Sequence, residues 1–206
     1  ERFRIGEDEW NTSSLLLPGV SYSHLQANAS LDPSRGYRLQ VDVAGAHREL
    51  LSDADVLHIN VLAKGLYTLA GKHRLLARFN FGGVATNSFD DVPPSLRFFA
   101  GGDQSVRGYG YETLSPRDEN DVAVGGRYLL VGSGEYQYEF RENWRVAAFV
   151  DRGNAVNDVF DRLATGAGIG VRWVSPVGPL RLDVAKGLDD EFGGGWRIHF
   201  SMGPEL

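Results

Sequence analysis

The sequence predicts an all-β fold in which antiparallel strands form a barrel that crosses a membrane. Three observations predict it: the 26 glycines follow no repeat, apolar and polar residues alternate in about nine segments, and the polar positions of these segments carry charges. A barrel strand crosses the membrane with about 9 to 11 residues that face lipid and lumen in turn. Its mean hydropathy therefore stays modest, and no long apolar run is needed.

The segments follow one another along the chain with apolar residues at every second position. A weaker first strand is expected over residues 15–26. The apolar faces of the other strands contain Tyr37, Leu39, Val41 and Val43; Leu57, Ile59, Val61 and Ala63; Leu75, Ala77, Phe79 and Phe81; Tyr136, Tyr138 and Phe140; Trp144, Val146, Ala148 and Val150; Ile169, Val171 and Trp173; Leu180, Leu182 and Val184; and Trp196, Ile198, Phe200 and Met202. This period of two is typical of strands with two different faces.

The polar faces of these strands carry Arg, Lys, His, Asp and Glu. Charges of both signs on adjacent strands indicate a wet, ion-paired lumen. A soluble β-sandwich with one solvated face is the alternative, and the alternation alone leaves it open.

The connections between strands alternate in length. Short links at residues 32–36, 69–72, 141–143 and 175–178 alternate with long ones at 7–11, 46–55, 82–126, 154–165 and 188–195. Short turns on one side and long loops on the other are typical of outer-membrane barrels.

Composition and motifs argue against several classes of function. A net charge of -6 without a basic cluster does not suit a nucleic-acid partner. The chain has no cysteine, its five histidines do not fall at metal-ligand spacing, and the glycine-rich run at 166–170 lacks the spacing of a dinucleotide loop. We therefore expect no catalytic residue, no metal site, no cofactor and no enzyme activity.

One long connection contains an isolated cation among small residues. Arg107 lies in the run Gly-Gly-Asp-Gln-Ser-Val-Arg-Gly-Tyr at residues 101–109. A guanidinium group on such a loop can reach away from its own strand and bind a carboxylate through two parallel hydrogen bonds. This pattern predicts a latch rather than a catalytic group.

Four motifs follow one another in order along the chain, and the first of them contains this loop. They are the stretch 98–109 that contains the loop, Gly-Glu-Tyr-Gln-Tyr at 134–138, Phe-Val-Asp-Arg-Gly-Asn-Ala-Val at 149–156, and the run 166–183, and the chain ends in Gly-Pro-Glu-Leu at 203–206. In these stretches the chain resembles the C-terminal barrel of the Omp85 superfamily, most closely its TamA branch, the outer-membrane subunit of the translocation and assembly module.

The resemblance implies a barrel of sixteen strands in the bacterial outer membrane, preceded by periplasmic POTRA domains. Because about nine strands are present, we expect residues 1–206 to be the C-terminal part of one barrel domain, without the POTRA domains and about seven strands. Nine strands alone would leave two edges unpaired in lipid. Either the missing strands belong to a part outside this sequence, or two copies pair edge to edge.

The resemblance also implies a role for the loop around Arg107. In the family this loop folds into the lumen and its arginine contacts acidic residues of the wall. We call Val106, Arg107, Gly108 and Tyr109 the latch loop.

The alternation supplies partners for Arg107 independently. It places Asp151 and Glu135 on the inward faces of adjacent strands, with Phe149 beside them for stacking on the guanidinium group. Asp151 is the first expected partner and Glu135 the second. We expect a charge swap between Arg107 and Asp151 to restore function in part.

The last strand is the other expected functional element. We call it the seam strand, with Trp196, Ile198, Phe200 and Gly203 as its marker residues. In the family it closes weakly on the first strand, and an unpaired edge can add incoming strands.

The resemblance thus implies a factor that assists insertion or secretion of β-rich proteins such as autotransporters. Its partners would be outer-membrane lipid, client β-barrel or autotransporter proteins and a TamB-like inner-membrane protein. The alternatives are a two-partner secretion transporter, the barrel anchor of a patatin-like phospholipase, and a soluble ligand-binding β-barrel.

Overall fold

The computed structural model describes residues 2–3, 11–12, 14–50, 52, 54–176 and 178–206. The strands are β1 (Arg2–Phe3), β2 (Asn11–Thr12), β3 (Gly19–Ala27), β4 (Arg35–Ala46), β5 (Val56–Leu69), β6 (His73–Thr86), β7 (Tyr128–Arg141), β8 (Trp144–Val156), β9 (Ala164–Ser175), β10 (Gly178–Gly187) and β11 (Trp196–Met202). Short 3-10 helices cover Arg48–Leu50, Pro94–Leu96 and Asp190–Phe192. In the described part of the chain no helix has the length and apolar character that a membrane span requires.

The strands form one large sheet and one small pair. β1 pairs with β2, and nine antiparallel strands follow in the order β11-β10-β9-β8-β7-β6-β5-β4-β3. Each strand of the large sheet therefore pairs with its neighbours in sequence. The predicted all-β fold with nine antiparallel strands is confirmed.

The two faces of the sheet have inverted polarity compared with a soluble protein. Along β8, Val146 and Val150 are exposed, whereas Arg145 and Asp151 are buried. Large apolar side chains on the outer face require a lipid environment, because a soluble protein would bury such a band. The charged faces line the interior, as the alternation predicts.

The segment between β6 and β7 folds into that interior and contributes to its apolar packing. Its side chains pack with wall residues in one buried cluster that includes Val92, Phe98, Ala100, Val106, Tyr109, Leu114, Val84, Leu129, Val131, Ala155 and Ala164. Isolated β-bridges within the segment, among them Phe98–Gly126 and Ala100–Leu114, stabilise its conformation. The longest connection is therefore an ordered plug against the lumen wall.

Two predicted boundaries are wrong. The first large strand begins at Gly19 instead of residue 15, since Pro18 has no N–H for the ladder and Leu15 and Leu17 pack against the buried cluster. β6 continues past Gly82 to Thr86. Position 82 has no room for a side chain, because the ring of Phe98 lies against it and a Cβ atom would come within 2.4 Å of the ring. Residues 7–10 of the predicted link at 7–11 lie outside the described residues, and residue 11 belongs to β2.

Candidate functional site

Arg107 and Asp151 make the central contact of the lumen. The guanidinium donates from Nε to Asp151 Oδ2 at 2.7 Å and from Nη2 to Oδ1 at 2.9 Å, and the Arg107 backbone N–H donates to Oδ2 at 3.1 Å. Ser133 Oγ donates to Oδ1 at 2.5 Å. Asp151 has no exposed surface. Its carboxylate thus holds both the side chain and the backbone of the latch loop.

Two further carboxylates share the same guanidinium group. Arg107 Nη1 donates to Glu135 Oε2 at 2.8 Å and to Asp183 Oδ2 at 3.1 Å. Arg172 balances this excess of negative charge, with Nη2 at 2.8 Å from Glu135 and Nη1 at 2.5 Å from Asp183. Arg172 and Asp183 occupy polar positions of the alternating segments, and the sequence predicts no role for them. The network therefore joins the latch loop to β7, β8, β9 and β10.

An aromatic ring completes the environment of Arg107. Its Cζ lies 3.3 Å from the centroid of the Phe149 ring. Burial alone would lower the pKa of Arg107, but the hydrogen bonds and charges of Asp151 and Glu135 outweigh it and raise the pKa. Arg107 therefore contributes a permanent positive charge to this network.

The other latch residues fix the loop to the ends of two wall strands, β9 and β10, and to the connection that follows β10. Val106 is fully buried in the apolar cluster. Gly108 has φ of 94°, and a Cβ atom there would lie 2.4 Å from the backbone N of Gly187. Tyr109 donates its hydroxyl to the Thr165 carbonyl at 3.0 Å and accepts from the Asp189 N–H at 3.1 Å. Only glycine permits this close approach of the loop to β10.

His199 links the latch loop to the seam strand, and the sequence did not predict this role. Its Nε2 accepts the Gly108 N–H at 3.0 Å, and its Nδ1 contacts the Asp103 carboxylate. His199 is buried, on the lumen face of β11. The alternation did put His199 on the inward face, but the path of the loop across the lumen has no signal in sequence.

The seam strand itself presents its apolar side chains outward. Trp196, Ile198 and Phe200 are 71%, 75% and 63% exposed, and β11 pairs with β10 only. After Gly203, at φ of 129°, the chain turns inward so that Glu205 and Leu206 are buried. The strand thus combines a lipid-facing surface with an edge that is unpaired in the described sheet.

A second ion-pair cluster lies at the short-turn end of the lumen. Asp32, in the turn after β3, lies 2.7 Å from Arg74 Nη1 and 2.6 Å from Arg145 Nη2. Glu205 of the tail lies 2.8 Å from the same Arg74 nitrogen and accepts a hydrogen bond from Gln137 at 2.6 Å. Turn and tail are therefore held by shared cations.

Asp32 makes this end of the molecule sensitive to acid. Burial raises the pKa of Asp32, but hydrogen bonds from Arg145 and Arg74 and their charges outweigh it, and the pKa falls below its ordinary value of 3.8. A depressed pKa stabilises the folded state above the unfolded pKa, and this stabilisation is lost as pH falls through the folded value.

We expect the Asp32→Asn variant of the full-length protein to lose less stability than the parent below about pH 4. Thermal unfolding in detergent at pH 6 and pH 3 measures this, and equal losses in both proteins would contradict it.

Strands with an apolar outer face, an ion-paired lumen and a loop folded into that lumen define a β-barrel wall of the outer-membrane type. The domain model of the Omp85 superfamily matches residues 4–205. The chain belongs to the Omp85 superfamily, and its place is the bacterial outer membrane.

Individual relatives agree with this assignment. The chain is 34% identical over 162 residues to the outer membrane protein assembly factor BamA of Nitratidesulfovibrio vulgaris, covering 73% of this chain and 20% of that protein. It is 34% identical over 148 residues to the chloroplastic outer envelope protein 80 of Arabidopsis thaliana, covering 65% and 18%. The chain thus spans about a fifth of the length of these curated relatives.

Solved structures share the fold at lower identity. BamA from Haemophilus ducreyi lacking POTRA domains 1-3 superposes with a TM-score of 0.77 at 21% identity, over 96% of this chain and 44% of that one. CdiB from Acinetobacter baumannii gives a TM-score of 0.59 at 19% identity, over 89% and 32%. Both show the fold alone.

Proposed function

We propose that residues 1–206 form the C-terminal part of the barrel of an outer-membrane protein assembly factor. The relatives named as assembly factors support this, and so does the share of the Haemophilus ducreyi chain, 44%, that nine strands cover. The rest of the barrel would then pair with the edges of β3 and β11. No chemical step is involved, because the work consists of exchanging backbone hydrogen bonds between strands.

The observation that carries the proposal is the coupling of an ordered lumen loop to an edge strand. Arg107 fixes the loop to β7, β8 and β10, and the next residue, Gly108, binds His199 on β11. An edge with unpaired N–H and C=O groups accepts a further strand by β-augmentation. The loop would thereby set how readily the seam strand exposes its edge to a client β-barrel protein.

A finer assignment is a TamA-like role in the assembly of autotransporters with a TamB-like inner-membrane partner. Its support is the motif resemblance, including the terminal Gly-Pro-Glu-Leu at 203–206, where Glu205 binds inside the lumen. The second candidate is a two-partner secretion transporter, which the likeness to CdiB in fold favours. It would export one soluble protein through the lumen.

The experiment that tests assembly uses the full-length protein in lipid vesicles. We expect urea-denatured β-barrel clients to insert faster into these vesicles than into empty ones. Vesicles holding an unrelated barrel control for bilayer defects. Equal rates in all three would overturn the proposed function, and export of one soluble protein without client insertion would favour the secretion transporter.

The contact between His199 and the latch loop gives a separate prediction. His199→Phe removes the acceptor for the Gly108 N–H, which should speed amide exchange at Gly108 roughly 5- to 160-fold, as expected for a loss of about 1–3 kcal/mol. His199→Gln supplies one acceptor and one donor, so exchange should stay near the parent value.

The matched control for this prediction is Ser201→Ala, two residues along the same face of β11. Hydrogen exchange followed by mass spectrometry reads all three variants. Equal exchange in the Phe and Gln variants would show that His199 does not hold the loop.

A further inference from the structure

Three cations stand directly opposite one another on the inner face of adjacent strands. Arg38 of β4 is opposite Lys64 of β5, and Lys64 is opposite Arg78 of β6. Directly opposed residues have Cβ atoms about 4.5–5.5 Å apart, and like charges at this distance destabilise a sheet. We call these three residues the cationic row. A row of this kind requires a negative charge to balance it.

The described carboxylates do not supply that charge. Within the described ranges, neither the cationic row nor Arg181 of β10 makes an ion pair with a carboxylate. The nearest lumen carboxylates are already bound to other cations: Glu205 to Arg74, Asp151 to Arg107, and Glu135 to Arg107 and Arg172. The cationic row and Arg181 thus share the lumen with carboxylates that are engaged by other cations.

The hydrogen bonds of these four cations are also incomplete. Arg78 donates to the backbone carbonyls of Gln104 and Ser105, and Arg38 Nη2 donates to Gln40 at 2.9 Å. The Nε atoms of Arg38 and Arg181 are buried, and no described residue accepts from them. A buried donor without a partner destabilises the folded protein. A ligand with several acceptor oxygens would offset this destabilisation.

Lys64, Arg78 and Arg181 line one cavity of about 60 Å³ beside the latch loop, together with Arg107 and the carboxylates of Asp103, Glu135 and Glu205. Each of these carboxylates already contacts another cation or a histidine: Glu205 contacts Arg74, Glu135 contacts Arg107 and Arg172, and Asp103 contacts His199. A single water needs roughly 10–15 Å³ of such space. The cavity therefore accommodates several waters or one small oxyanion group, and it is too small for an organic cofactor. Three of its cations, Lys64, Arg78 and Arg181, form no ion pair with a described carboxylate, and together with the size of the cavity this favours an anion over a neutral solute.

We propose that Lys64, Arg78 and Arg181, with Arg38 next to them in the row, bind one oxyanion group, a phosphate or a carboxylate, on the lumen wall. The anion balances the opposed charges of β4, β5 and β6 and accepts hydrogen bonds from guanidinium and ammonium donors. It lies next to Gln104 and Arg107, so that its occupancy adds a contact to the segment that carries the latch loop. This site goes beyond client insertion and does not depend on it.

Calorimetric titration of the full-length protein in detergent tests the site with two probes, inorganic phosphate and acetate, at matched ionic strength. Saturable binding of phosphate alone assigns a phosphate-bearing ligand, and binding of acetate as well assigns a carboxylate-bearing one. Binding of neither probe overturns the proposal, including the case in which other strands of the barrel supply the missing carboxylate.

Substitution of Lys64 separates a ligand site from a structural role. Lys64→Gln should weaken probe binding at least tenfold, while in probe-free buffer the unfolding temperature should hold or rise because like-charge repulsion is relieved. Lys72→Gln is the matched control, since it makes the same charge change in the exposed turn between β5 and β6. Undiminished binding in the Lys64 variant, or an equal loss in both variants, would overturn the proposal. Client insertion is not part of either readout, so failure here leaves the proposed function untouched.

Discussion

Asp151→Asn is expected to release the latch loop and to abolish client insertion by the full-length protein. The carboxylate accepts three hydrogen bonds from Arg107 and one from Ser133, and it is wholly buried. An amide cannot accept all four, because its nitrogen would point at donors. Removing one partner of a buried ion pair costs about 3–5 kcal/mol, as the other charge is left without its partner. Amide exchange at residues 105–109 and the rate of client insertion measure the effect.

The matched control for Asp151→Asn is Asp121→Asn. Asp121 pairs with Arg117 at 3.4 Å, but its side chain is 86% exposed. Screening by water limits such a pair to about 0–1 kcal/mol. Similar effects of the two substitutions would contradict the central role of Asp151.

The geometry also changes the outcome expected for a charge swap. Partial rescue by Arg107→Asp with Asp151→Arg, expected from the sequence, assumes an isolated pair. In the structure, a carboxylate at position 107 would face Glu135 and Asp183, and a guanidinium at position 151 would face the N–H of residue 107. We therefore expect the double variant to be no more active than either single variant. Rescue would show that the network around Arg107 is looser than its distances indicate.

Gly108→Ala is expected to displace the latch loop from β10. The residue has φ of 94°, which costs an alanine about 1–3 kcal/mol, and the added Cβ would lie 2.4 Å from Gly187 N and 2.6 Å from the Lys186 carbonyl carbon. Overpacking against backbone adds about 1–3 kcal/mol, so the total is roughly 2–6 kcal/mol. Because Gly108 also donates to His199, its displacement should weaken the contact to the seam strand.

Two alanine controls separate the causes of the Gly108 effect. Gly193→Ala tests backbone strain alone, since φ there is 71° and nothing lies within 4 Å of the added atom. Gly134→Ala tests neither strain nor contact, as its φ is ordinary and its surroundings are open. Thermal unfolding should rank Gly108→Ala as the most damaging and Gly134→Ala as the least. An equal loss at Gly108 and Gly193 would show that the close approach to β10 has no energetic role.

The alternation of apolar and polar residues predicted most of the fold and part of the candidate site. It put Asp151, Glu135 and Phe149 on inward faces, and the structure has all three around Arg107. The parity of a strand is local, because successive side chains must point to opposite sides. Strand boundaries were predicted less well. Gly82 resembles a strand end in the sequence, but the structure shows that glycine is needed there because the Phe98 ring lies against it.

The partners of the loop beyond β7 and β8 could not be predicted. Asp183 and His199 are far from Arg107 in the chain, and their contacts depend on strand register and on the path of the loop across the lumen. The cationic row could not be predicted for the same reason, because Arg38, Lys64 and Arg78 become neighbours only through the pairing of β4, β5 and β6.

The sequence by itself determined that the chain is a nine-stranded antiparallel wall with lipid on one side and charges on the other, and that Arg107 would face acidic residues. Only the tertiary structure decided that four wall strands share one guanidinium network and that His199 links it to the seam strand. It also decided that the opposed cations form no ion pair with any carboxylate of the described residues. The physical reason is that periodicity is fixed by the backbone of each strand, whereas ion-pair partners are fixed by register and by loop packing between segments distant in sequence.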